Sequence, residues 1–158
     1  MAVRTERVSH GGKPSPRVAS ALAALEHASL RRTPQRLAIV RAFVDDPTHP
    51  TAQQIFDRLK QAMPTMSFAT VYNTLAALEK AGSCRVLRVH DDGSARFDPR
   101  VDPHDHAICD RCGAVRDLES KPQRVASDGS PREARLEDGF HVRAVERVYR
   151  GLCADCSR

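Results

Sequence analysis

Two C-x-x-C hooks, Cys109–Cys112 and Cys153–Cys156, lie about forty residues apart and constrain this chain more than any other feature. Zinc in a structural role takes a closed tetrahedron of soft ligands. Each hook offers two sulfurs from one tight turn, and the spacer leaves room for a small sheet between them. A thioredoxin-type redox motif accounts for one C-x-x-C, not two. The expected site is a four-thiolate zinc centre, set against two disulfides or four free thiols. The chain has five cysteines, the odd one being Cys84. An odd count with two metal-type pairs fits a reducing cytoplasm better than secretion.

The first hook is preceded by His104 and His106 in the run HDHAICDRC. In a strand these two side chains share a face, because side chains alternate with period two. Four sulfurs already close the zinc tetrahedron, so the histidines are left for a second metal. Asp98 and Asp117 flank them, and Asp102 and Asp105 are also near. Mixed nitrogen and oxygen ligands favour iron, manganese or zinc. The competing reading is a solvated loop rich in His and Asp.

The length of 158 residues suits one ordinary domain or two small ones. Aromatics make up 4% with no Trp, so the core must be built from Ala, Leu and Val. The net charge of +5 and pI of about 9.2 are compatible with nucleic acid without requiring it. No run reaches the length of a membrane span, and nothing resembles a signal peptide.

Residues 1–16 are polar, carry Gly and Pro, and read as a disordered tail. RVASALAALEHASL, residues 17–30, has helical spacing, with Val18, Leu22 and Leu25 apolar. Thr33 and Pro34 then form an N-cap and first turn. Leu37, Val40, Ala42 and Phe43 supply the buried face of a second helix. Thr51 caps a third helix, AQQIFDRLKQA, with Ile55, Phe56 and Leu59 inward. Ser67 caps a fourth, FATVYNTLAALEKAG, which Gly82 ends. Val71, Leu75 and Leu78 run along one face; Ser67, Thr70, Tyr72 and Asn73 lie towards the other. CRVLRVH and SARFD alternate as strands around Asp91-Asp92-Gly93, a hairpin signal.

Helices followed by a hairpin make a winged helix-turn-helix. Its fourth helix would present N-terminal residues to base edges in the major groove. An exposed Tyr and Asn there suit thymine methyl and adenine contacts. The alternative is a small helical bundle with a merely wet polar face. Residues 99–103, between Pro99 and Pro103, read as a hinge. Beyond it HAICDRC, AVRDL and FHVRAVERVYRGLC are expected to form a small antiparallel sheet, with Val148 and Leu152 inward. Gly and Pro break the segment between, leaving at most one short helix over 131–137. The fold class is α+β: a winged-helix domain over 17–98, the hinge, and a small α/β domain over 104–158.

These residues resemble the ferric uptake regulator superfamily over roughly Leu30 to Cys156. The resemblance rests on RRTPQRLAIV, HPTAQQIF, SFATVYNTLAALEKAG, RFD, HDHAICDRCG and CADC in this order. It implies a homodimeric, metal-dependent repressor that binds double-stranded operator DNA, with a C-terminal dimerisation domain. Within the superfamily the chain looks most like the peroxide-sensing branch. The regulatory Fe(II) or Mn(II) site would then be His49, Asp98, His104, His106 and Asp117. The ferric-uptake branch usually has Glu where Asp98 and Asp117 stand. The structural zinc set would be Cys109, Cys112, Cys153 and Cys156. Recognition would use Tyr72 with Ser67, Thr70 and Asn73, and Arg31 would reach an A·T-rich minor groove. The third metal site of some relatives is not expected, because its histidine position falls near Val145, with His141 off register. Cys84 reads as a small buried hydrophobe, and His10, His27 and His90 as solvent-exposed.

The resemblance further implies a cytoplasmic repressor in which Fe(II)-catalysed oxidation of a ligand histidine, His49 or His104, releases DNA. One rival is an iron-, manganese- or zinc-responsive repressor of uptake genes without peroxide chemistry. Others are a zinc-dependent hydrolase, which the absence of H-E-x-x-H disfavours, and a thiol-disulfide oxidoreductase.

Overall fold

The computed structural model describes residues 14–88, 95–118 and 147–158. Four helices come first: α1 (Pro16–His27), α2 (Pro34–Phe43), α3 (Ala52–Lys60) and α4 (Phe68–Lys80). Each start is written in the local sequence. The Ser15, Thr33, Thr51 and Ser67 side chains each accept a hydrogen bond from an amide of the helix they precede. Thr51 and Gln54 form a reciprocal capping box, satisfying two otherwise orphaned amides. Gly82 follows α4 at φ +68, a left-handed turn that costs glycine nothing.

The apolar stripes meet in one core. Ile39, Val40, Phe43, Ile55, Val71, Leu75 and Leu78 are all fully buried. Each such side chain contributes roughly 1.5–3 kcal/mol of transfer free energy. Ile39 joins this face of α2, while Leu37 and Ala42 are only partly buried. Phe56 likewise packs at the edge of the core.

Strands β1 (Arg85–Arg88) and β2 (Ala95–Asp98) pair antiparallel, with Arg85 opposite Asp98. They form the wing; its Asp91-Asp92-Gly93 turn lies outside the described residues. Phe97 meets Phe43 edge-on at 6.5 Å, fastening the wing to the helical core. The Phe97 amide donates to the Pro50 carbonyl at 3.0 Å, and Thr51 bridges Arg96. The His49 loop is thus stitched to the strand that ends at Asp98.

The second sheet has the order β4 (Val115–Leu118), β3 (Asp105–Cys109), β5 (Val148–Gly151). β3 and β4 are antiparallel, placing His106 opposite Asp117. β3 and β5 are parallel, with Cys109 beside Gly151. The expectation of a purely antiparallel sheet is therefore corrected. The β4–β5 connection is long enough for a crossover, which a parallel pair requires and a hairpin does not.

A second correction concerns β5. Val148 and Leu152 are each 53% exposed rather than inward. Among the described residues the sheet's own core is small, Ile108 and Val115 with Leu87 against them, and β5 lies at the sheet's edge. The short helix expected over 131–137, the strand start at 140–146, and His10, His90, His141 and Val145 lie outside the described residues.

Candidate metal centres and nucleic-acid surface

Both cysteine hooks are built on tight turns. After β3 the chain reverses, with the Gly113 amide donating to the Cys109 carbonyl at 2.8 Å. After β5 the Cys156 amide donates to the Cys153 carbonyl at 3.0 Å. The parallel β3–β5 register brings the hooks together. One sulfur from each of Cys109, Cys112, Cys153 and Cys156 lies within 4.8 Å of the other three. All four are free thiols, and Cys112 and Cys153 sulfurs are 3.7 Å apart. A zinc tetrahedron with bonds of about 2.3 Å has edges of about 3.8 Å, so the spacing fits that ion and not a disulfide.

The sulfurs are electrostatically unequal. The Cys153 amide donates to Cys109 Sγ at 3.3 Å. That bond, with others from the amides of Cys112 and Arg111, lowers the Cys109 thiol to about 6. Cys156 is pushed up to about 12, first by its thiol contact with Cys153. A site that stabilises one thiolate while crowding the others is one that awaits a cation.

The second cluster is buried. His49 is 1% exposed and Asp98 0%, and His104 and His106 are equally enclosed. One ligand atom from each of these four lies within 4.8 Å of the others. Asp98 Oδ2 is 3.2 Å from His104 Nε2 and 3.5 Å from His106 Nε2. Asp117 joins from β4: its Oδ1 is 2.7 Å from His49 Nε2, 3.4 Å from His104 Nε2 and 3.9 Å from His106 Nε2. The rings of His104, just before β3, and His106, within it, stand 4.4 Å apart. Burial, then the neighbouring His104, lowers the His106 pKa, with Asp98 opposing.

These contacts are close without being hydrogen-bonded. Both ring nitrogens of His49 and His106, together with His104 Nε2 and Asp98 Oδ2, are buried and without a hydrogen-bond partner. Leaving such a group unmade costs roughly 1–3 kcal/mol each. Their atoms crowd one another rather than pairing, which is the donor set a nitrogen- and oxygen-liking cation would satisfy. His104 Nδ1 is 2.8 Å from the Asp102 carbonyl. Donation there fixes the tautomer that leaves the Nε2 lone pair facing inward.

Of the carboxylates near the H-x-H, only Asp98 and Asp117 enter the cluster. The Asp102 carboxylate pairs with Arg100 at 2.6 Å. Asp105 instead accepts from the Arg147 amide at 3.3 Å. Asp102 acts through its backbone, a role no side-chain motif advertises. His49 sits at φ +52, a left-handed conformation uncommon outside glycine. The preceding loop is braced by Asp46, which accepts from the Thr48 amide at 2.8 Å and pairs with Arg58 of α3. A cleft of about 440 Å³ opens onto the cluster, with His49, Asp98, Asp117, Arg17 and Arg100 in its walls.

On α4, Tyr72 is 50% exposed and stacks on Phe68, also exposed, at 6.4 Å. Asn73 is exposed one residue on. Ser67 Oγ accepts from the Thr70 amide and lies 2.8 Å from the Thr70 hydroxyl, so both hydroxyls are engaged in the cap. Arg31 is exposed, and its carbonyl accepts from Arg36. Phe68 was not singled out from the sequence. Cys84 is buried beneath α4 and its thiol is raised to about 12 by desolvation. His27 is exposed.

A winged helix-turn-helix beside a small sheet with a thiolate cluster and an imidazole–carboxylate cluster defines a class: metal-responsive, DNA-binding regulators of transcription. The chain belongs to the ferric uptake regulator family, whose model matches residues 27–142. It is accordingly a regulator and not an enzyme. The peroxide-responsive repressor PerR of Staphylococcus aureus (strain Mu50) is 33% identical over 156 residues, 99% of this chain and 98% of its own. The solved PerR of Streptococcus pyogenes, described for peroxide sensing and gene regulation, is 28% identical with a TM-score of 0.50, covering 94% of this chain and 97% of that one. The ferric uptake regulator Fur of Helicobacter pylori shares the fold at a TM-score of 0.65 and 19% identity, covering 89% and 94%. No helix among the described residues is long and apolar enough to cross a membrane.

Proposed function

We propose that this chain is a cytoplasmic, homodimeric repressor that senses peroxide through a regulatory metal. The observation that carries this reading is the buried cluster of His49, Asp98, His104 and His106, completed by Asp117, with its unpartnered inward atoms. Zn(II) in Cys109, Cys112, Cys153 and Cys156 holds the sheet module together as folding free energy. Fe(II) or Mn(II) occupies the His/Asp cluster. The division into 17–98, a hinge at 99–103 and 104–158 gives that cluster its leverage. His49 and Asp98 come from the winged-helix side, and His104, His106 and Asp117 from the sheet.

Drawing five ligands onto one centre fixes how the two modules face each other. In a dimer that orientation sets the separation of the two α4 helices, and half-site spacing is a geometric requirement. Metal-loaded protein is thus the DNA-competent conformer. Tyr72 and Asn73 read base edges, Ser67 and Thr70 contribute from the helix start, and Arg31 contacts the backbone or minor groove. Fe(II) held there would supply reduction of peroxide beside the imidazoles, one peroxide oxygen adding to a ring carbon and the other leaving as water, which Mn(II) does not readily supply. Oxidation of the His49 or His104 ring removes a ligand, and the modules loosen from the DNA-bound arrangement. The standing of S. aureus PerR as a peroxide-responsive repressor supports this branch.

The test is brief peroxide exposure of Fe-loaded and Mn-loaded protein, followed by mass spectrometry and operator binding. One added oxygen on a peptide bearing His49 or His104, in the Fe form alone and with loss of DNA binding, is the expected result. Untouched histidines with oxidised Cys109 or Cys112 would make this a thiol sensor instead. No response in either form would leave a repressor that answers to iron, manganese or zinc supply alone.

A further inference from the structure

Arg100 touches the His/Asp cluster at three places without entering it. Its backbone amide donates to Asp98 Oδ1 at 2.7 Å, leaving Oδ2 to face His104 and His106. Its guanidinium grips Asp102 Oδ2 through Nε at 2.8 Å and Nη2 at 2.6 Å. That same Asp102 meets His104 Nδ1 with its carbonyl. Its remaining nitrogen, Nη1, is 3.9 Å from Asp117 Oδ2. The Asp117 carboxylate is therefore divided: Oδ1 faces the three imidazoles and Oδ2 faces a cation across the mouth of the cleft.

A carboxylate beside a divalent ion can offer one oxygen or two, and the choice turns on what competes for the second. Anchored twice by Asp102, the guanidinium has little freedom to leave Asp117 Oδ2. The cleft reaches the cluster on the side of Asp117, His49 and Asp98, the side on which a small molecule would arrive.

We infer that Arg100 is a positioning residue that keeps Asp117 to a single metal-facing oxygen, and so keeps one coordination position open towards the cleft. This rests on the regulatory-metal reading above. It makes Arg100 the residue that sets how readily water or peroxide reaches the ion, separately from how tightly the ion is held. Without the guanidinium, Asp117 Oδ2 swings inward and fills the open position. Metal affinity then holds or rises, because a second carboxylate oxygen is gained and a repelling cation is removed. Access falls.

The experiment uses full-length, zinc-loaded protein titrated with Mn(II), comparing wild type with Arg100→Ala and Arg100→Gln. Arg100→Gln keeps the side chain out to its third carbon with a polar end and removes the guanidinium charge and fork, so it guards against a packing defect in the alanine variant. Bound Mn(II) is counted by electron paramagnetic resonance, and exchangeable water on it by proton relaxation. Wild type should show one rapidly exchanging water per bound Mn(II), and both variants none, with Mn(II) affinity equal or a few-fold tighter. In the Fe(II) form, oxygen addition to His49 or His104 should slow at least tenfold in both variants. Unchanged water exchange in the variants would overturn the inference, as would a tenfold loss of Mn(II) affinity, which would make Arg100 a prop for the site. If wild type fails to bind one Mn(II) per chain that His104→Ala abolishes, the regulatory-metal reading itself fails.

Discussion

Replacing His49 with glycine separates what this residue contributes to metal binding from what it contributes to the fold. His49 is held at φ +52 and is 1% exposed, with both ring nitrogens unpartnered. The left-handed backbone costs a non-glycine residue about 1–2 kcal/mol. Each buried unmade hydrogen bond costs roughly 1–3 kcal/mol. His49→Gly recovers both terms. It gives up the packing of the ring, including its edge contact with His106 at 5.3 Å, on the order of 3 kcal/mol by analogy with buried ring truncations. Glycine also frees the unfolded chain by about 0.4–1 kcal/mol. About 3–8 kcal/mol is regained against about 3.5–4 lost, so metal-free His49→Gly should be at least as stable as wild type to within about 1 kcal/mol. Mn(II) at a hundred times its dissociation constant adds about 2.7 kcal/mol to wild type. For a chain of this length that is a rise of roughly 5–11 °C in Tm, absent from the variant. Urea unfolding of zinc-loaded protein, with and without Mn(II), reads both numbers. A metal-free loss above about 4 kcal/mol, or equal stabilisation of the variant by Mn(II), would refute the reasoning and make His49 a structural residue.

Cys109→Ser should lose zinc and the order of the β3–β5 pair, seen as absent zinc by mass spectrometry under native conditions and loss of dimer by light scattering. Thr51→Ala removes the capping box in front of α3 and should cost about 1 kcal/mol, lowering Tm by roughly 2–4 °C in a thermal melt. Tyr72→Ala should abolish specific operator binding with zinc content unchanged, while Arg31→Ala should weaken binding and flatten its salt dependence. Burial pushes the Asp46 carboxyl up, but the Thr48 hydroxyl and amide and the Arg58 guanidinium outweigh it and hold it below the ordinary 3.8. A depressed folded pKa stabilises above the unfolded value and is lost as pH falls through the folded one. The stability gap between wild type and Asp46→Asn should therefore be full at neutral pH and close below about pH 4, as acid titration of unfolding will show.

The winged helix was largely legible because its signals are local. Thr33-Pro34, Thr51 and Ser67 act on amides two or three residues away, and the apolar stripes of α2 and α4 need only a helical period to line up. The hooks Cys109–Cys112 and Cys153–Cys156 were legible for the same reason, as was the shared face of His104 and His106. Four aspartates stood near that pair in sequence, and the choice of Asp98 and Asp117 among them, like that of His49, came only from family resemblance.

What the chain's order could not decide was long-range. The parallel pairing of β5 with β3 depends on the path of a long connection, and the outward turn of Val148 and Leu152 goes with the place of β5 at the edge of the sheet among the described residues. The left-handed twist at His49 arises because Pro50 and Thr51 are pinned to β2. Which of four nearby aspartates faces the imidazoles is set by contacts such as Arg100 gripping Asp102 while its amide holds Asp98. Local preferences act through hydrogen bonds a few residues long and are written in neighbouring letters. The division of labour among Asp98, Asp102, Asp105 and Asp117 is set by through-space contacts that exist only once both modules are folded together.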